Sequence, residues 1–174
     1  MRAITRNRNW RIATAALSCM LLVLQGCYSF SGASLPPHLN RVAVPLFDDV
    51  SQAGIAQFQE RITRKVTAKL QSQSSLNLEP EPSRADAVLT GVIVSYHDEP
   101  SQLGGTLERA VTNRITIEVR AEFEDRVKNI RVFSQSFVGF ADYATGNYTA
   151  QQTAIENAMD QAVDELVNRV ISNW

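Results

Sequence analysis

The sequence predicts an α+β fold, a two-layer sandwich in which two helices pack on one face of a mixed, mostly antiparallel sheet of four strands, or five if one short extended piece joins it. Two observations predict it. From Arg114 to Glu124 the chain alternates strictly: Ile115, Ile117, Val119, Ala121 and Phe123 are interleaved with Arg114, Thr116, Glu118, Arg120, Glu122 and Glu124. That is the period of a strand with one buried and one wet face. On either side of the strand-rich middle, apolar residues recur at spacings of three and four, at Ile55, Phe58, Ile62, Val66 and Leu70 and again from Ala154 to Ile171. Each set makes one apolar helix stripe, and the apolar face of the sheet is the place to bury both.

The N-terminus reads as an export signal. Arg2, Arg6, Arg8 and Arg11 form a basic segment without an acid, followed by an apolar run from Ile12 to Leu24. That run is shorter than the roughly 20 residues that a comfortable membrane span requires, and a basic segment, a short apolar run and a small residue describe a secretory signal. Its last residues, Leu24-Gln25-Gly26-Cys27, resemble the lipobox of bacterial lipoproteins. The resemblance implies cleavage after Gly26, lipid on the Cys27 thiol, and a mature chain held in a membrane by acyl chains, of which two or more anchor firmly. Tyr28 rather than Asp follows the cysteine, which points to the outer membrane with the domain facing the periplasm. The expected organisation is a signal at 1–26, a lipidated tether at 27–40 and a single domain at 41–174.

Within the tether, Ser29, Ser31, Gly32, Ser34, Pro36 and Pro37 oppose regular structure. Arg41 to Phe47 is the first strand, with Pro45 placing it at an edge or ending it. Asp48, Asp49 and Ser51 supply turn and helix-start chemistry before the first helix. That helix's other face carries Glu60, Arg61, Arg64, Lys65 and Lys69, either a docking surface for an acidic partner or a solvated face. Leu76 to Glu79 is the short extended piece, and Pro80 and Pro82 break the chain. Ala85 to Tyr96 is β-branched and apolar on both faces, as in a central strand, with Gly91 allowing a helix to pack close or marking a bulge. His97 to Glu108 reads as a long hairpin loop. Arg126 to Asn129 turns the chain into a strand from Ile130 to Phe140, in which the large residues change parity after Phe137, as a bulge would cause. Thr149 with Gln152 makes a capping-box start for the last helix.

Composition narrows the function. Removing the first 26 of 174 residues leaves 148, a usual single-domain size. It also removes four of the 17 basic residues and none of the 18 acidic ones, leaving a mature charge of −5, which argues against nucleic acid as a partner. Only Cys19 and Cys27 are present, so no disulfide is expected to staple the domain. His38 and His97 are isolated in sequence and do not suggest a zinc site. The acidic pairs Asp48-Asp49 and Asp98-Glu99 read as turn and cap residues, and Gly104-Gly105 lacks the Lys-Ser/Thr of a phosphate loop. Neither an enzyme nor a cofactor is expected. Tyr96, Phe133, Phe137 and Phe140 read as sheet core.

The stretch from Cys27 to Leu39, followed by Val42-Ala43-Val44-Pro45-Leu46-Phe47, Ala85-Asp86-Ala87-Val88-Leu89-Thr90-Gly91 and the segment Val111 to Asp125 before the C-terminal helix, resembles the LptE family of lipopolysaccharide-assembly lipoproteins. The resemblance implies a non-enzymatic plug and partner of an LptD-type outer-membrane β-barrel that can itself contact lipopolysaccharide. It also implies basic residues near loops at one end of the sheet, which this chain offers at Arg109 and Arg114; solvent-facing strand charges paired with Glu108 or Glu118 are the plainer reading of both. The loop from Ala141 to Tyr148 has Asp142 and no basic residue. The Val-Ala-Val strand and the Ala-Asp-x-x-Leu-Thr-Gly pattern are similar as well to the periplasmic domain of TolB and to the CsgG secretion lipoprotein. That leaves a module of another envelope complex, or a ligand-binding lipoprotein, as alternatives.

Overall fold

The computed structural model describes residues 35–104 and 109–172, with side chains described for all of these but 102–104, 109 and 110. The signal, the lipobox, Cys27 and the tip of the β4–β5 hairpin lie outside the described residues. The chain runs β1 (Arg41–Ala43), β2 (Asp48–Asp49), α1 (Phe58–Gln73), β3 (Asn77–Leu78), a single 3-10 turn (Pro82–Arg84), β4 (Ala87–Gly104), β5 (Arg109–Asp125), β6 (Ile130–Ala144) and α2 (Tyr148–Ser172). The sheet order is β3-β1-β4-β5-β6, with β2 also on β4. The three short strands pair parallel, and β4, β5 and β6 form two long antiparallel ladders. Both helices bury their stripes on one sheet face, so the α+β two-layer arrangement holds, with six strands rather than four or five.

The extra strand comes from Pro45. Its missing N–H interrupts the ladder, and the chain leaves β4 after Ala43 and rejoins it at Asp48. In the gap Phe47 turns inward. Its N–H donates to the Thr63 hydroxyl of α1 at 3.0 Å, and its ring lies against Gly91, where a Cβ would occupy the same space. Gly91 therefore admits an aromatic ring, not a helix or a bulge. Asp48 and Asp49 are strand residues, and Asp49 Oδ1 accepts from the Ser51 N–H in a tight turn, at 2.9 Å. The helix starts only at Phe58, after Gln52, Gly54 and Gln57 have each passed through positive φ, so Ile55 packs from the preceding loop.

The stretch read as a long loop, His97 to Glu108, is largely strand. β4 continues to Gly104 after a bulge at Val94, between the pairs Ile93↔Val119 and Ser95↔Glu118. Among the described residues no strand pairs with its other side beyond Ile93, which is where a proline such as Pro100 is tolerated. In β6 no bulge follows Phe137; the bulge sits at Val132, and Val119↔Phe137 continues directly into Glu118↔Val138. The parity change arises because Val138 and Phe140 stand on the open face, with Phe140 47% exposed rather than in the core. At α2 the cap is Asn147, whose Oδ1 accepts from the Ala150 N–H at 3.0 Å, and Thr149 already lies inside the helix.

α2 comes down onto β6 at Gly139, where a Cβ would meet the Ala158 carbonyl oxygen and would lie 2.7 Å from the Ala162 nitrogen. The basic face of α1 is used inside the domain. Arg61 pairs with Glu156, Lys65 with Glu156 and Asp160 at 2.9 and 2.6 Å, and Lys69 with Asp164, a ladder at four-residue steps on both helices. At the β5–β6 end, the fully buried Asp125 joins His38 Nε2 at 2.6 Å and accepts the Lys128 N–H at 2.9 Å. Burial pushes the Asp125 carboxyl up, but His38 and these amides outweigh it and hold it below the usual carboxylate range. Asp86 accepts from the N–H groups of Asn40 and Arg41 beside it, so His38, Leu39 and Asn40 are bound to the domain.

Gly139→Ala is expected to cost about 3 kcal/mol or more, at or above the top of the usual overpacking range, because helix backbone cannot rotate away as a side chain can. Gly146→Ala, at φ 82 with open space around it, should cost only the roughly 1–2 kcal/mol of a left-handed conformation. Urea unfolding of both variants checks this; equal losses would show that α2 can lift off the sheet at little cost.

Candidate functional site

The residues expected to meet lipopolysaccharide lie on the β4–β5 hairpin stem. The Val94 bulge sets which side chains gather there. Before it Leu89, Gly91 and Ile93 face the helices; after it Tyr96 and Asp98 do, while Ser95, His97 and Glu99 join Glu118, Thr116 and Arg114 on the open face. His97, Glu99, Pro100, Ser101, Arg114 and Thr116 line an open depression of about 250 Å³. His97, isolated in sequence, thus stands beside Arg114, and its Nδ1 lies 3.9 Å from Glu99.

Glu108 lies outside the described residues, and Arg114 is engaged by Asp142 rather than by Glu118. Its Nε and Nη2 donate to the two carboxylate oxygens of Asp142 at 2.7 and 2.9 Å, and its guanidinium carbon lies 4.8 Å from the centre of the Phe140 ring. The hydrogen bonds and charge of Asp142 raise Arg114 above its ordinary value, and the same contact holds Asp142 below the usual carboxylate range. The acid that counted against the Ala141 to Tyr148 segment is therefore the group that orients Arg114. Bidentate geometry of this kind also fits a phosphate, so the arrangement can exchange Asp142 for an anionic head group. Arg109 opens β5 opposite Gly104, on the same strand and nearer the tip; its side chain lies outside the described residues, as do Leu24, Gln25, Gly26 and Cys27.

Behind this face is a cluster the sequence reading missed. Asp98 accepts hydrogen bonds from the Tyr143 hydroxyl at 2.7 Å, Asn113 Nδ2 at 3.0 Å and Gln151 Nε2 at 2.8 Å. One carboxylate thereby joins β4, β5, β6 and the first turns of α2. Burial raises the Asp98 carboxyl, and the three donors more than offset it, leaving it below the usual range. Next to it Tyr96 meets Phe58 edge-on at 6.5 Å, and burial, then the Asp98 charge, push its phenol up to about 12. Among the described residues no group of three or more His, Cys, Asp or Glu is placed to hold a metal ion.

A carboxyl whose folded pKa is depressed adds stability that is present above its unfolded value, near about 3.9, and lost as pH falls through the folded one. Asp98→Asn should therefore lower stability at pH 7 by about 1–3 kcal/mol, since one of the two acceptor oxygens becomes an NH2 facing other donors, and flatten the fall in stability between pH 5 and pH 2. Urea midpoints across that range check it; parallel pH profiles for variant and wild type would remove Asp98 from the acid response.

No curated protein matches the chain. Among solved structures, a DUF330 protein from Xanthomonas campestris is similar with a TM-score of 0.61 and 12% identity, over 81% of this chain and 87% of that one. Lipoprotein B from Nitrosomonas europaea, itself uncharacterised, has a TM-score of 0.51 and 14% identity over 79% and 84%. The PelC dodecamer of Paraburkholderia phytofirmans has a TM-score of 0.50 and 14% identity over 82% and 96%. These likenesses show a shared fold. The family model described as LptE, lipopolysaccharide-assembly, matches residues 39–170, which is nearly the whole of the domain. The chain belongs to the LptE family of lipopolysaccharide-assembly lipoproteins of the bacterial envelope.

Proposed function

We propose that this lipoprotein is anchored in the outer membrane by lipid on Cys27, faces the periplasm, and serves as plug and partner of an LptD-type β-barrel that delivers lipopolysaccharide to the cell surface. The observation that carries the reading is the family match over residues 39–170. The sheet supports it: helices cover one face and leave the other charged, with Arg114, Arg120, Arg131 and Glu122 among its exposed or half-exposed groups. Large outer-membrane barrels have a polar interior, and a wet sheet face can fill one where an apolar plug cannot. No described helix is long and apolar enough to cross a membrane; in this reading the N-terminal lipid is the anchor. No step of it requires catalysis.

The test is an affinity pull-down of the tagged protein from detergent-solubilised outer membranes. A roughly stoichiometric β-barrel protein is the expected companion, and Cys27→Ala should release the otherwise folded protein from membranes. Recovery of a homo-oligomer alone, such as the dodecamer that PelC forms, or of soluble partners alone, would overturn the plug reading.

Within the same reading Arg114 and Arg109 are the lipopolysaccharide contacts. Arg109→Glu with Arg114→Glu should weaken binding of purified lipopolysaccharide at least tenfold, since two charge-assisted hydrogen-bonding groups of about 1.5–3 kcal/mol each are replaced by repulsion. Unchanged binding would show Arg114 to be a strand charge satisfied by Asp142 alone.

A further inference from the structure

The turn between β5 and β6, residues 126–129, has no role in the plug reading. Val127 and Ile130 stand 58% and 50% exposed, beside exposed Arg126, Lys128 and Arg131. The acids near this turn are accounted for individually. Asp125 is buried and bound by His38 and the Lys128 N–H, Glu122 pairs with Arg131 at 2.7 Å, and Glu124 is half-buried on the open face. Arg126 donates to the Pro82 carbonyl, next to exposed Glu81. From Asp125 to Arg131 the segment thus carries three cations against one carboxylate, and that carboxylate points inward. Asn129 at φ 55 and the Asp125 bond to Lys128 fix the shape of the turn, so the two apolar side chains are presented without an ordering cost.

Exposed apolar side chains flanked by basic ones are the composition of an interfacial membrane contact, and cations beside an anionic bilayer each add roughly 1 kcal/mol of attraction. The position of the turn names the bilayer. His38 is bonded to Asp125, the last residue of β5 before this turn, and from Leu35 the chain leads back to Cys27 within a reach of at most about 30 Å. We propose that the β5–β6 turn is a second membrane contact, with Val127 and Ile130 in the head-group region of the anionic leaflet that holds the lipid, and Arg126 and Lys128 on its phosphates. The proposal rests on lipidation of Cys27. Since the acyl chains already hold the protein, this contact fixes which end of the sheet lies at the leaflet: the β5–β6 turn, with the hairpin stem and Arg114 at the opposite end.

The test uses the mature lipidated protein carrying Val127→Cys. Loss of the signal removes Cys19 and lipid blocks Cys27, so the new thiol takes a nitrobenzoxadiazole label alone. In vesicles of phosphatidylethanolamine and phosphatidylglycerol containing head-group-region doxyl lipid, the label at 127 should be quenched. Adding Arg126→Glu and Lys128→Glu should abolish the quenching, and a label at exposed Val111→Cys, roughly 45 Å away at about 3.3 Å per strand residue, should escape it. A protein that floats with the vesicles while the label at 127 stays unquenched, or is quenched equally after charge reversal, overturns the membrane contact. Failure to float at all removes lipidation at Cys27, and the contact with it, before any label is read.

Discussion

The seating of α2 on β6 at Gly139 is the constraint from which the rest of the domain follows. Small residues on the helix, Ala154, Ala158 and Ala162, are all buried, and with glycine opposite them the two backbones approach more closely than any side chain on the strand would permit. That closeness fixes the height and direction of α2 over the sheet. From there Glu156, Asp160 and Asp164 hold Arg61, Lys65 and Lys69, which sets the register of α1. These pairs are half-exposed and individually weak, so their contribution is to alignment more than to stability. The other end of α2 brings Gln151 to Asp98, tying the helix to the hairpin stem.

With both helices committed to one face, the other face is left to water or to a partner. Its charges are largely compensated across strands, Arg114 by Asp142 and Arg131 by Glu122, so it projects no strong field of one sign. A partner covering it would meet shape and local hydrogen bonds before it met net charge. For an anionic head group this has a specific consequence at Arg114. Asp142 and the Phe140 ring hold the guanidinium extended along the sheet, so the side-chain entropy of presenting it is already spent in the unbound protein. What a phosphate must supply is the difference between itself and Asp142.

Elements governed by local periodicity were legible in the sequence: the alternation of β5, the helix stripes ending at Leu70 and Val170, and the turn at Arg126 to Asn129. What escaped depended on distant partners. Gly91 and Gly139 are the same residue type in the same kind of strand, yet one faces an aromatic ring and the other a helix backbone; nothing local distinguishes them. The polar run from His97 to Gly104 looks like loop because strand propensity reports side-chain burial, whereas this stretch is held by its ladder to β5. Phe140 read as core because large apolar residues in strands usually are, and only the register with β5 places it outside. The basic character of Arg114 was legible, but its bond to Asp142, 28 residues away, required knowing that β5 and β6 pair as they do.

The sheet extends beyond its own core, which explains the cluster at Asp98. The apolar cluster closes at Tyr96, Ile115 and Tyr143, and Asp98 and Asn113 follow immediately on the same face. Past that level β4 and β5 continue as a paired ladder, and a two-stranded ladder is marginal in water without something to dock on. Placing a carboxylate at the boundary, with donors from β5, β6 and α2 converging on it, substitutes a polar tie for the missing core. A half-buried acceptor so fully satisfied favours one arrangement of its donors over others, which an apolar contact of similar strength would do less sharply. The stem that carries Arg114, and Arg109 beyond it, is thereby held to the core through a group whose loss would loosen the hairpin before it unfolded the domain.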